Sequence, residues 1–213
     1  MTRRYSCRAY LDREVPRADI ERMLALARLT ASWCNTQPWE LHVTGPAATR
    51  RLAEALGRAA RAGVRSADLP WPAAYEGVYR ERRREAGYGL YAAVGVARDD
   101  AEARARQAML NFEFFGAPHT AIITSDRDLG TYGAVDCGAY VANLLLAAES
   151  LGIAAIAQAA IASVSGVVRE QLALPESRVV VCAVSFGYAD HDHPVNGFRT
   201  TRASQDETIH WVD

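Results

Sequence analysis

Ile20, Met23, Leu24 and Ala27 recur at three- and four-residue steps behind Pro16, which predicts a helix with one apolar face. Pro16 has the φ that a first helical turn needs, and Asp19 sets a negative charge near the positive dipole end. The stretch Trp33-Cys34-Asn35-Thr36-Gln37-Pro38 is expected to end that helix, because a residue before proline avoids the α region. Leu41 to Thr44 alternates as a short strand before a Gly45-Pro46 turn. A second helix is predicted from about 48 to 62, with Leu52, Ala55, Leu56 and Ala59 on its inner face. Residues from about 63 to 74, with Pro70, Pro72 and Trp71, read as an irregular excursion.

Further helices are predicted over 75–95, which is rich in arginine, and over 100–115. Thr120 to Thr124 reads as a strand. Asp136 to Gly152 is hydrophobic nearly all round and is therefore expected to be the central buried helix. Strands are predicted over 153–159 and 179–186, separated by a short helix from Ser163 to Leu172 with a serine cap. Helices arrive in pairs between strands, so strict βαβ alternation fails. An α+β sandwich follows, rather than a doubly wound parallel sheet. The tail from His191 is polar but ends in Ile209, Trp211 and Val212, an apolar cluster for which a second subunit is the simplest destination.

Composition narrows the function classes. The 213 residues are 50% hydrophobic and 23% charged with a net charge of −1, which is ordinary globular chemistry and asks for neither nucleic acid nor an anionic membrane as partner. Cys7, Cys34, Cys137 and Cys182 are far apart, without a C-x-x-C pair or a histidine at ligand spacing. No metal site is expected, and the thiols read as small, partly buried side chains in a reducing compartment. The opening Met1-Thr2-Arg3-Arg4-Tyr5 is not a signal peptide, and the run from Val141 to Ala148 is too short to span a bilayer. A cytoplasmic location is the expectation.

Several patterns carry no chemistry. Gly87-Tyr88-Gly89-Leu90-Tyr91-Ala92 matches a dinucleotide-binding expression, but charged, helical sequence precedes it where a strand is required. His191 and His193 lie in a polar loop without a companion ligand and are expected to be solvated. No G-x-S-x-G elbow is present.

The N-terminus is more informative. Arg4, Ser6 and Arg8 alternate with Tyr5 and Cys7, so in an extended segment the three polar groups share a face. Two guanidinium groups flanking a hydroxyl suit a phosphate monoester; a solvated basic start is the other reading. Arg199 and Arg202 in the tail are placed in sequence to complete the same anion site. In Ala31 to Trp39, Asn35 and Gln37 offer the donors and acceptors that the pyrimidine edge of a flavin presents, although a capped turn over a buried tryptophan has the same residues.

The segments Arg4 to Tyr10, Val15-Pro16 and Ser32 to Trp39 resemble the N-terminal signature of the nitroreductase family. Asn111 to Pro118, Asp136-Cys137-Gly138, Leu151-Gly152, Gln158-Ala159-Ala160 and Gly187 to Asp190 follow in family order, so the resemblance covers nearly the whole chain. It is nearest to the branch with an arginine-rich segment, here Arg80 to Gly89, which includes nitrobenzoate-reducing enzymes.

This resemblance implies one domain over 1–213, with a central, mostly antiparallel sheet flanked by helices, a variable excursion over about 63–95, and a tail over about 191–213 exchanged within a homodimer. It implies FMN at the dimer interface. Arg4, Tyr5, Ser6 and Arg8, joined by Arg199 and Arg202, would hold its phosphate and ribityl chain; Ser32, Trp33, Asn35 and Gln37 would lie beside the ring. Gln158, Ala159 and Ala160 match the strand end whose backbone N–H meets flavin N5.

The implied reaction carries two electrons from NADH or NADPH through flavin N5 to a small aromatic acceptor such as a nitroarene, in a ping-pong sequence with no catalytic side chain. Cys34, Tyr79 and Arg83 are the substrate-side candidates. Arg80, Arg82, Arg83 and Arg84 would favour a carboxylated aromatic at the pocket mouth; a solvated helix face paired with Glu81 and Glu85 is the alternative. Reductive dehalogenation on the same fold and non-catalytic FMN binding are the competing functions. Glu76 and Tyr79 faintly resemble the dehalogenase lid, but its lysine has no counterpart.

Overall fold

The computed structural model describes residues 1–212; Asp213, the last residue of the expected tail, lies outside them. Strands β1 (Glu40–Thr44), β2 (His119–Asp126), β3 (Ala154–Gln158) and β4 (Arg178–Gly187) form one sheet in the order β1-β2-β4-β3, and every pairing is antiparallel. Among the described residues the α-helices are α1 (Arg17–Ala27), α2 (Pro46–Arg61), α3 (Gly77–Ala93), α4 (Ala101–Met109), α5 (Gly130–Ser150) and α6 (Ser165–Leu172), of which α1 and α5 cover one face of the sheet and α2 and α6 the other. The α+β class expected from the order of elements is the class observed.

Neighbouring β2 residues point to opposite faces, and both faces are covered. Ala121 and Ile123 pack with Met23, Ala27, Leu144 and Ala148 on the α1–α5 side, while Ile122 joins Leu52, Leu56 and Val168 on the α2–α6 side. This double cover explains why β2 is buried at every position from His119 to Ser125 rather than at alternate ones. Each fully buried Leu, Ile or Phe side chain contributes roughly 1.5–3 kcal/mol of transfer free energy. The first segment lies along the free edge of β3, where Ser6 bridges to Ala155 in parallel and the Cys7 amide donates to the Ala155 carbonyl, and Tyr10 then bridges antiparallel to Ala189, just past β4.

Several element boundaries differ from the sequence expectation. Helix α1 stops at Ala27, well before Pro38: the Thr30 amide and hydroxyl both donate to the Ala27 carbonyl, and Leu29 is left exposed. Pro46 is the first residue of α2 rather than part of a turn. Helix α4 ends at Met109 and passes into a 3₁₀ segment, Leu110–Gly116. The serine cap of α6 is absent. Ser163 and Ser165 donate back to the carbonyls of Ala160 and Ala162, and the first turn instead gives its Gly166 amide to the Ser66 hydroxyl of the excursion.

Helix α5 begins at Gly130, before the expected Asp136, and is not buried all round. Tyr132 and Val135 are 60% and 57% exposed, and Gly138, Ala139 and Ala142 continue the same open face. The cysteines are mixed rather than uniformly half-buried: Cys7 and Cys137 are fully buried, Cys182 is intermediate, and Cys34 is exposed. No helix among the described residues is long and apolar enough to cross a membrane, and no three His, Cys, Asp or Glu side chains among them are grouped to hold a metal. His193 is not merely solvated, because its Nδ1 accepts the Val195 amide at the start of a 3₁₀ turn, Pro194–Gly197.

Candidate functional site

The extended first segment and the tail meet at a cavity of about 670 Å³, lined by Arg4, Tyr5, Ser6, Arg8, Phe198, Arg199, Thr200 and Arg202 against Ala142, Leu145 and Leu146 of α5.

 The strand-like alternation is what sets Arg4, Ser6 and Arg8 there, but Tyr5 lines the cavity as well instead of facing away. Asn196 holds the two chain segments together. Its side chain accepts the Arg8 amide at 2.8 Å and donates to the carbonyls of Ala9 and Asp190 at 2.8 and 2.7 Å, and the residue is buried.

The electrostatics of this cavity are one-sided. Its lining holds the guanidinium groups of Arg4, Arg8, Arg199 and Arg202 and no carboxylate. Among the described residues, none of these four arginines forms an ion pair. Arg199 lies 3.9 Å over the Tyr5 ring and donates to the carbonyls of Asn196 and Phe198; Arg202 donates to Thr200 and Thr201. Arg8 donates to the Ser6 carbonyl at 3.2 Å, and burial pulls its pKa below the usual arginine value. All 24 basic residues of the chain are arginines, so each site cation is a planar fork of donors. Gathering such groups without a counter-charge destabilises the protein alone and favours an anion.

A second cavity of about 240 Å³ is bordered by Arg8, Leu90, Tyr91, Asn111, Phe115 and residues 156–159. Arg8 belongs to both cavities. Of the Gln158-Ala159-Ala160 triplet, Ala160 lines neither, and the Gln158 side chain is engaged internally: its Nε2 donates to the Asn111 carbonyl at 2.8 Å, and its Oε1 accepts the Ser185 hydroxyl. Ala159 lines the smaller cavity and has no functional side chain to offer it. Phe114 and Phe115, behind this wall, both have positive φ (53° and 55°), a strained pair of the kind that clusters at ligand sites.

The loop carrying Ser32, Trp33, Asn35 and Gln37 lines neither cavity. It is exposed and held by its own bonds. The Gln37 amide donates to the Ser32 hydroxyl, Gln37 Nε2 donates to the Asn35 carbonyl, and the Trp33 amide donates to the Asp136 carboxylate. Trp33 packs on Tyr132 at 4.8 Å, and Cys34, Asn35 and Gln37 all have positive φ. Tyr132 and Asp136 stand on the first half of α5, whereas Leu145 and Leu146 of the anion cavity stand on its second half. At 1.5 Å per residue the two regions are about 15–20 Å apart along the helix. One chain alone does not bring them together.

The substrate-side candidates also lie apart. Tyr79 is 67% exposed, Arg83 sits 5.2 Å over the Tyr75 ring, and neither lines a described cavity. Arg80 and Arg84 are exposed; Arg82 pairs with Glu207 of the tail at 3.2 Å, not with Glu81 or Glu85. Sequence reasoning missed Asn111, Tyr91 and Asn196. Asn111 opens a segment quoted for the family resemblance, but neither Tyr91 nor Asn196 carries a local signal.

The cysteines give a direct check on this geometry. Burial pushes the thiols of Cys137 and Cys182 up to about 11 and about 12 and raises that of Cys7, so at pH 8 little of their reactive thiolate exists. Iodoacetamide should label only Cys34 in the native protein and all the thiols after unfolding, read by intact mass. Labelling of Cys137 as fast as Cys34 would contradict the fold around α5.

The nitroreductase family model matches residues 1–188. A 4-nitrobenzoate reductase of Nocardioides sp. (strain LMS-CY) is 37% identical, covering 99% of this chain and 88% of its own length. A 4-nitrobenzoate reductase of Pseudomonas putida is 34% identical over 98% of this chain and 92% of its own. The crystal structure of the FMN-dependent nitroreductase NfnB from Mycobacterium smegmatis in complex with NADPH superposes with a TM-score of 0.94 at 36% identity, covering 99% of this chain and 95% of that one. The fold, the ordered motifs and these relatives agree: the chain belongs to the nitroreductase family.

Proposed function

We propose that this protein is an FMN-dependent oxidoreductase that takes two electrons from NADPH or NADH and delivers them to a small aromatic acceptor, with nitroarenes as the first class to assay. The observation that carries the reading is the convergence of Arg4, Arg8, Arg199 and Arg202 on one carboxylate-free cavity. An FMN phosphate supplies the negative charge that this cavity lacks. Arg4, Ser6, Arg199 and Arg202 would hold the phosphate end, with the Tyr5 ring beneath Arg199. Arg8, shared with the smaller cavity, would face the ring end alongside Asn111 and the Ala159 main chain. A guanidinium held there favours the negative charge of the reduced ring. Bound FMN would supply the redox chemistry itself, accepting hydride at N5 and passing it on.

A homodimer completes this reading. The open face of α5 is apolar and small at its centre, and Ile209, Trp211 and Val212 of the tail are 46%, 89% and 93% exposed. A two-fold axis across α5 would set the 32–37 loop of one protomer beside the anion cavity of its partner, because loop and cavity occupy opposite halves of that helix. Val195 and Asn196 are buried on their own chain, and Arg199 and Arg202 line its cavity, so the proposed tail exchange begins after Arg202. A cytoplasmic location accords with four free cysteines. The dehalogenase alternative lacks its lysine, since the chain contains none.

Purified protein should be yellow, or become so with FMN, and anaerobic NADPH or NADH should bleach it. Initial rates with nitrobenzoate should give parallel double-reciprocal lines. Protein that stays colourless after incubation with FMN removes the cofactor assignment; bound FMN that neither nicotinamide reduces leaves a binding protein.

A further inference from the structure

Two glycines in α3, Gly87 and Gly89, stand inside a helix, where glycine costs about 1 kcal/mol relative to alanine. Neither has a positive φ, so backbone conformation does not require them. Packing separates them. A Cβ on Gly87 would meet nothing within 4 Å, whereas a Cβ on Gly89 would lie 2.7 Å from Cε2 and 3.2 Å from Cζ of Phe198. The Phe198 ring thus rests on the bare helix backbone at Gly89.

Phe198 lines the anion cavity and a neighbouring groove between α3 and the tail. Its carbonyl accepts a bond from the guanidinium of Arg199 at 2.9 Å. On the upstream side Asn196 is buried and held by hydrogen bonds to Arg8, Ala9 and Asp190, so it resists a shift. Any push on the ring is therefore passed downstream, to the segment that carries Arg199 and Arg202.

We propose that Gly89 is a positioning residue for the anion cavity: by leaving room for Phe198 it sets Arg199 and Arg202 where a flavin phosphate binds. The G-x-G-x-x-A match in this helix then has a packing origin at its second glycine. The inference rests on the FMN reading of the cavity, and its test separates the two.

Gly89→Ala, Gly87→Ala, Phe198→Leu and the Gly89→Ala/Phe198→Leu pair are compared in the full chain, with Kd for FMN and for riboflavin measured by flavin fluorescence. Wild-type protein and Gly87→Ala should prefer FMN to riboflavin equally. Gly89→Ala should lose at least about tenfold in FMN affinity, or about 1.4 kcal/mol, while riboflavin affinity stays put. General loosening would weaken both ligands alike and overturn the proposal. In the Phe198→Leu background, Gly89→Ala should have no further effect.

Gly89→Ala binding FMN as wild type does also overturns the proposal and leaves the cofactor reading intact. Wild-type protein without a preference for FMN overturns the cofactor reading itself. If Gly89→Ala does not fold, the pair folding with the FMN affinity of Phe198→Leu supports the steric seat, and a pair that also fails to fold overturns it.

Discussion

Replacing Arg4 and Arg8 together by alanine is expected to weaken FMN binding at least about 100-fold. Each charge-assisted hydrogen bond is worth roughly 1.5–3 kcal/mol, so losing one from each side chain removes about 3–6 kcal/mol, or two to four decades of affinity. The effect should be larger at low salt, because an exposed part of the attraction is screened. Stability should move the other way. Among the described residues Arg4 and Arg8 have no carboxylate partner, and burial already disfavours the Arg8 charge, so the double variant without flavin should melt no lower than wild type. Titration by flavin fluorescence and a thermal melt read both signs. Affinity within threefold of wild type would show that these cations do not face the flavin.

Asp68→Ala is expected to be the most destabilising single substitution outside the apolar core. Its carboxylate is almost completely buried, accepts two 2.9 Å bonds from the Arg169 guanidinium and one of 2.8 Å from the Val180 amide, and lies 3.7 Å from Arg127. Removing it leaves the mostly buried Arg169 with only the Arg178 carbonyl at 2.8 Å and the exposed Glu176 carboxylate at 4.0 Å, which costs about 3–5 kcal/mol. For a chain of this size that lowers Tm by roughly 6–20 °C. Arg127→Ala, at the exposed end of the same network, should cost less than about 1 kcal/mol. Equal losses from the two variants, measured by urea unfolding, would refute the assignment of Asp68 as the pin. Together with the Ser66 cap of α6, this carboxylate ties the excursion to β4 and α6.

The contrast between Asp68 and Arg4 shows where the sequence was legible. Arg4-Tyr5-Ser6-Cys7-Arg8 announces itself because alternation is a near-neighbour property, and the structure puts the three expected side chains on one cavity. Asp68 sits in a segment read as irregular, and nothing near it in sequence hints that its partners are Arg169 and Val180, 101 and 112 residues away. The end of α1 was misplaced for the opposite reason: Pro38 is a visible stop, whereas the hydrogen bonds from Thr30 to Ala27 that act earlier depend on three-dimensional closure. The expected all-round burial of α5 failed because one side of the helix, at Tyr132, Val135, Gly138, Ala139 and Ala142, is left uncovered by its own chain.

By itself the sequence determined the α+β class, the four strands, the inner faces of α1 and α2, and the basic first segment, since helical and strand periods and turn residues act over a few positions. Tertiary structure alone decided that four guanidinium groups meet without a counter-charge, that the Gln158 amide is spent on Asn111 and Ser185, and that the 32–37 loop stands at the far end of α5 from the cavity. It also decided which of two helical glycines has a job. Those outcomes depend on contacts such as Asn196 with Arg8, 188 residues apart, whose geometry exists only after the whole sheet has closed.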